Sequence, residues 1–167
     1  PPAGNSLSKN IDSYQEAFDL LFKNVVHTTS LVIPGMQKNK WGRIINVTSV
    51  SVKEPLNYLV LSNSIRSAVV AWAKSLSVDL GSDGITVNSI LTGYFDTERI
   101  KELNKEKSKS LNISEAEVLD KMKSLVPASR LGRPEEYGYL VSFLSSDNAA
   151  YINGASIPID GGLLKSY

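Results

Sequence analysis

Arg43-Ile44-Ile45-Asn46-Val47-Thr48 and, further along, Ile85-Thr86-Val87-Asn88-Ser89-Ile90-Leu91 decide the fold. Both runs are short and rich in β-branched residues, and the first is bounded by Gly42 and a serine cluster, a pattern that suits strands covered on both faces. Between them, from about Leu61 to Leu80, Ile65, Val69, Trp72, Ala73, Leu76 and Leu80 recur at helical spacing, and Gly81 reads as the C-terminal stop. Two buried strands joined through a helix call for a parallel sheet with a crossover connection, and so for an α/β chain.

The same order extends outward. Upstream, Asp12 reads as an N-cap with Gln15 three residues on. Ala17, Phe18, Leu21, Phe22, Val25 and Val26 then predict one long amphipathic helix ending at Pro34-Gly35. Downstream, residues 95–130 break the rhythm. Lys101 to Lys109 is almost all charge, and Ser114-Glu115-Ala116-Glu117 is a capping box opening a short helix to Leu125. This insertion is either a substrate lid or an exposed helical pair. Pro134-Glu135-Glu136 starts another helix, and Ser156 to Gly162 closes as strand and turn. Without repeats or a linker, residues 1–167 form one domain.

Composition excludes several classes. The 167 residues are 42% hydrophobic with 7 Tyr, 4 Phe and 2 Trp, enough for a core. A net charge of +1 supplies no basic field, so neither nucleic acid nor an anionic membrane is an expected partner. There is no cysteine, and a single His27 gives no imidazole cluster, so no metal site is expected. The longest apolar runs, such as Ala68 to Ala73, are short, and Pro1-Pro2-Ala3-Gly4 has no export character; the expectation is a soluble, cytoplasmic protein.

Four blocks carry a family likeness: Gly42 to Ser49, Ala73-Lys74-Ser75-Leu76, Gly84 to Ile90, and Arg130-Leu131-Gly132-Arg133-Pro134-Glu135-Glu136 continuing to Asp160-Gly161-Gly162. In order and spacing the chain resembles the short-chain dehydrogenase/reductase family, in its 3-oxoacyl-(acyl-carrier-protein) reductase-like branch. The resemblance implies a Rossmann-type, three-layer αβα fold with a parallel sheet. It also implies NAD or NADP as cofactor, a small-molecule carbonyl or alcohol substrate, and a homo-oligomer paired through the long helices and the last helix and strand.

Two departures qualify what is implied. The family grips pyrophosphate with a Gly-rich turn, because only glycine lets backbone amides approach the phosphates. No two glycines here lie two residues apart, so that element is absent from these residues. At roughly 30 residues per βαβ unit, about three units are lacking, and the resemblance implies the C-terminal part of a longer protein whose N-terminal strands are absent from this chain.

The second departure concerns catalysis. In the family a serine precedes a tyrosine by thirteen positions, and a lysine follows four later. Ser49 fits, but Ser62 stands at the tyrosine position and Arg66 at the lysine position, and a helical asparagine would fall at Leu21, with Asn24 one turn away. A serine hydroxyl, with a pKa near water's ~15.7, is a poor proton donor beside tyrosine's ~10, and an arginine stays charged and relays no proton. Tyr58 and Tyr94 are candidate replacement acids or, alternatively, packing and lid residues. Thr92-Gly93-Tyr94-Phe95-Asp96-Thr97 stands where the family's loop lies against the nicotinamide, which implies cofactor contacts from Thr92, Gly93, Tyr94 and Thr97. Asn88 and Asp160 read as structural hydrogen-bonding residues and His27 as a surface or interface residue.

The expected function is therefore an NAD(P)-dependent oxidoreductase. In it Ser49 polarises a carbonyl, Arg66 grips the cofactor ribose or an acidic substrate, and the proton donor is non-standard. The competing expectation is a catalytically silent relative serving as a nucleotide-binding or structural subunit.

Overall fold

The computed structural model describes residues 1–166. β1 (Gly42–Val47), β2 (Ile85–Thr92) and β3 (Ser156–Ile159) form a parallel sheet in the order β1-β2-β3, with Ile44 opposite Val87 and Ile90 opposite Ile157. α1 (Ile11–Phe18), α2 (Asn24–Asn39), α3 (Val60–Leu80), α4 (Glu98–Leu111), α5 (Glu115–Ser124) and α6 (Pro134–Leu144) complete the chain.

Strand alternation sorts the apolar residues into two layers of core. Ile44, Ile85 and Val87 face α2 and α3, packing with Ala73, Leu80, Met36 and Trp72. Ile90, with Ile45 and Ile157 beside it, faces the other way onto Leu140, Val141 and Leu144 of α6. Helices on both faces of a parallel sheet make the three-layer arrangement expected from the buried runs. A third cluster, Ala17, Leu61 and Ile65 with Leu21 and Phe22, packs α1 against α3.

Two local expectations are corrected. The first helix is capped by Asn10, whose Oδ1 accepts from Ser13 N at 2.9 Å, rather than by Asp12. The long helix is not uniform: a π-helical turn at Asp19–Lys23 separates α1 from α2, and α2 runs through Pro34 and Gly35 to Asn39. Tertiary contacts hold that extra turn, because Met36 packs into the core while Gln37 and Lys40 bind Asp83. The crossover helix does stop where Gly81 predicts: α3 ends at Leu80 with Gly81 as its C-cap at an ordinary helical φ of −58°, and the left-handed residue is Gly84 at φ 72°, where a Cβ would run into the Lys40 carbonyl oxygen. Among the described residues no helix is long and apolar enough to cross a membrane, and no cluster of potential metal ligands occurs.

Candidate active site

The carboxyl ends of the strands converge on one corner of the sheet, where open parallel sheets bind ligands. Thr48 fixes the end of β1, since its backbone N–H and its Oγ1 both donate to the Ile90 carbonyl at 2.9 Å. Ser49 follows as the cap of a short 3-10 turn, its Oγ accepting from Ser51 N at 3.1 Å. Because that bond uses only an acceptor lone pair, the Ser49 hydroxyl proton remains available to a ligand. At the end of β2, Gly93 N donates to Ile159 O at 3.0 Å, and a Cβ on Gly93 would meet Asp160 Cα at 2.6 Å. Only glycine lets this loop cross the end of β3 so closely.

These strand ends and α4 enclose a cavity of about 490 Å³, within the range of small-molecule sites. Ser49, Tyr58, Thr92, Gly93 and Tyr94 line one side; Ile100, Leu103, Asn104 and Lys107 of α4, with Met122 of α5, form the other. The charged insertion thus covers the strand ends, its apolar stripe inward, with Glu106 and Lys107 at the cavity wall and most of its other charges exposed. Burial pushes the Tyr58 phenol above its ordinary value, and Tyr94 is raised by burial and further by Tyr58. Both phenols therefore keep their protons at neutral pH. The Lys107 ammonium sits 5.8 Å from the Tyr58 ring centroid.

Ser62 and Arg66 lie one turn apart on α3 and bind each other, Arg66 Nε donating to Ser62 Oγ at 3.2 Å. Arg66 Nη1 also donates to the Val47 carbonyl at 2.7 Å, which holds the guanidinium at the end of β1. Burial lowers its pKa, with Tyr137 opposing. Neither residue lines the cavity. Thr97 is also set apart: it is exposed and caps α4 through Oγ1. Leu21, at the position implied for the family's asparagine, packs in the apolar cluster of Ala17, Leu61 and Ile65, while Asn24 and His27 are exposed.

Asn88 is a structural residue, donating to Ile152 O at 2.7 Å and accepting from Ala155 N at 3.0 Å. Asp160 likewise accepts from Gly162 N and Leu164 N. Two contributors went unread in the sequence. Tyr137 reaches Thr92 Oγ1 at 3.2 Å, and Asn104 lies on the cavity wall. For Asn104 the available signal was its place on the Ile100, Leu103, Leu111 stripe.

A parallel sheet layered by helices, with a cleft at its strand ends, defines the doubly wound α/β class. A family model described as Enoyl-(Acyl carrier protein) reductase matches residues 2–164. Similar curated proteins include the 3-oxoacyl-(acyl-carrier-protein) reductase FabG of Haemophilus influenzae, 35% identical over 159 residues, 91% of this chain and 60% of that protein. FabG of Pseudomonas aeruginosa is 32% identical over 158 residues, 90% of this chain and 58% of that protein. Among solved structures, the NADPH-dependent reductase YwfH involved in bacilysin biosynthesis aligns with a TM-score of 0.94 at 27% identity, covering 100% of this chain and 65% of that one. The L-sorbose reductase of Gluconobacter frateurii, solved with NADPH and L-sorbose, aligns at 0.92 and 26% identity, covering 99% and 63%. The chain belongs to the short-chain dehydrogenase/reductase family, in its 3-oxoacyl-(acyl-carrier-protein) reductase-like branch. It spans 58% to 60% of the length of the two curated relatives named.

Proposed function

We propose that the protein containing this chain is an NAD(P)-dependent oxidoreductase that interconverts a small-molecule carbonyl and its alcohol. The observation that carries this reading is the meeting of Ser49, Tyr58 and Tyr94 on one apolar cavity at the ends of β1 and β2. Relatives named as reductases support it, two of them named as NADPH-dependent.

Ser49 donates a hydrogen bond from its hydroxyl to the substrate carbonyl oxygen, keeping its proton, and so favours the charge that develops there. A phenol, Tyr94 or Tyr58, then supplies the proton that completes the alcohol, in place of the tyrosine that Ser62 replaces. The residues present suit the nicotinamide and ribose end of a dinucleotide. Arg66 has guanidinium donors at the end of β1, and Thr92, Gly93 and Tyr94 form the wall beside it. When bound, the cofactor supplies or accepts the hydride. Thr97 contributes indirectly in this reading, by starting the helix that covers the cavity.

We also place the protein in the cytoplasm, where free nicotinamide dinucleotides are drawn on, as a homo-oligomer. Exposed Leu31 and Val32 on α2, Val78 on α3, and Tyr139 and Phe143 on α6 support pairing through these helices. The test is NADPH and NADH titration of the full-length protein, followed by turnover of a ketone panel by wild type and Ser49→Ala. Cofactor binding, with at least ~100-fold loss of kcat in Ser49→Ala, is expected. Absence of binding to either dinucleotide would overturn the reading in favour of a silent structural subunit.

A further inference from the structure

α4 carries Ile100, Leu103, Asn104 and Leu111 at spacings of three, one and seven, so all four share the face turned to the cavity. Three of them are apolar and Asn104 is not. Its neighbours Lys101, Glu102 and Lys105, which do not line that cavity, are exposed, so solubility does not account for a buried polar residue at 104. Asn104 is 6% exposed, and its Oδ1 is buried with no hydrogen-bond partner among the described residues. A buried amide oxygen left unpaired is costly, and native proteins rarely retain one unless another molecule completes it.

The side chain also borders a cleft of about 560 Å³ behind α4, walled by Asp96, Lys101, Glu115, Lys123 and Arg133. That cleft is rich in charged groups and open to water, so it gives an amide no advantage over any other polar residue. The cavity in front is mainly apolar and is shared with Ser49, Tyr58 and Tyr94. There a single amide discriminates, because a donor that leaves water for an apolar cavity regains a hydrogen bond only where it meets that amide. The terminal torsion of asparagine is soft, so a small rotation turns the amide toward a bound ligand.

We infer that Asn104 is a specificity-determining residue. It accepts a hydrogen bond from a hydroxyl or amide N–H borne on the apolar chain of the substrate, at a distance from the carbonyl that Ser49 holds. The inference rests on the reductase reading for what Ser49 does, and adds the substrate class: a ketone or alcohol with a second hydrogen-bond donor. A ligand held at both ends would also tie α4 to the strand ends, since Asn104 belongs to the covering helix and Ser49 to the sheet.

The test compares 2-octanone with 2-octanones hydroxylated at C4, C5, C6 or C7, using the full-length protein with NADPH. Steady-state rates report turnover, and saturation-transfer NMR reports binding whether or not turnover occurs. Wild type is expected to favour at least one hydroxyketone over 2-octanone by about tenfold or more. Asn104→Leu should reduce that preference to within about twofold, by slowing the hydroxyketones more than 2-octanone, and keep Tm at or above wild type, because it removes an unpaired buried oxygen. Asn104→Ser, smaller and still polar, gives the same comparison if the leucine variant does not fold. Equal loss for both ketones with a lowered Tm would assign Asn104 a structural role and overturn the inference. So would a wild type that binds all the ketones equally, or none. Binding preference without turnover would instead count against the reductase reading and leave Asn104 as the recognition residue.

Discussion

Arg66 donates from Nη1 to the carbonyl of Val47 at 2.7 Å, tying the middle of α3 to the end of β1 two residues before Ser49. The guanidinium thereby occupies the end of the strand without entering the cavity. Arg66→Ala would leave a strand-end carbonyl and Ser62 without this partner. A loss of about 1–3 kcal/mol in unfolding free energy is expected, read from denaturant melts. Arg66→Lys, which cannot make both bonds, should fall between.

The proton donor predicts a pH profile. Tyr58 and Tyr94 are both raised above the ordinary tyrosine value, so a reduction drawing on either phenol stays flat from about pH 6 to 9 and falls only above about pH 10. The reverse oxidation needs the phenolate and should rise with pH across the same span. Tyr94→Phe and Tyr58→Phe, assayed separately, identify the donor by a fall in kcat of about 100-fold or more. Full activity in both variants would place the donor elsewhere.

Gly93→Ala puts a methyl group against Asp160, 2.6 Å from its Cα, where neither backbone can move without opening the end of the sheet. About 1–3 kcal/mol of destabilisation is expected, with a lowered Tm and weakened cofactor binding. Gly138→Ala, on an open face of α6, is the control and should leave Tm unchanged or slightly raised.

The chain between α5 and α6 is fastened by Arg130, which binds both oxygens of Glu136 at 2.7 and 2.8 Å. The Arg130 hydrogen bonds, then the Arg133 backbone N–H, hold the Glu136 carboxyl down to about 2. Its folded pKa lies below its unfolded value, so the pair's contribution is complete above about pH 4.5 and is lost as pH falls toward 2. An NMR titration should show the Glu136 carboxyl with a midpoint near 2, returning toward ordinary glutamate in Arg130→Gln. A wild-type midpoint near 4.5 would contradict the geometry.

Leu21→Asn restores the residue type that the family resemblance implies there, but not its function. Leu21 packs with Ala17, Leu61 and Ile65, and an amide among them finds no partner. A cost of about 1–3 kcal/mol in chemical denaturation is expected, with no gain in turnover.

The strands were legible because their buried runs of β-branched residues have few other readings, and α6 because proline and two acids mark a helix start. The capping box at Ser114 and Glu117 forms as its spacing requires. The long first helix was only half legible. Pro34-Gly35 is a local stop signal, and contacts from Met36, Gln37 and Lys40 to residues far along the chain override it.

The order of the elements, the parallel sheet, the place of Ser49 at the end of β1 and the glycine at 93 were all determined by local pattern, because burial periodicity and backbone freedom are properties of neighbouring residues. Tertiary structure alone decided which polar groups meet. Residues at 49, 58, 94 and 104 converge only when the sheet is assembled and α4 folds back over it, while Ser62 and Arg66, which stand at the family's tyrosine and lysine positions, bind each other, and Arg66 also binds Val47. Spacing along a helix fixes the face on which a residue sits. What that face meets depends on the packing of elements distant in sequence, and that packing is set by the apolar surfaces of the whole core.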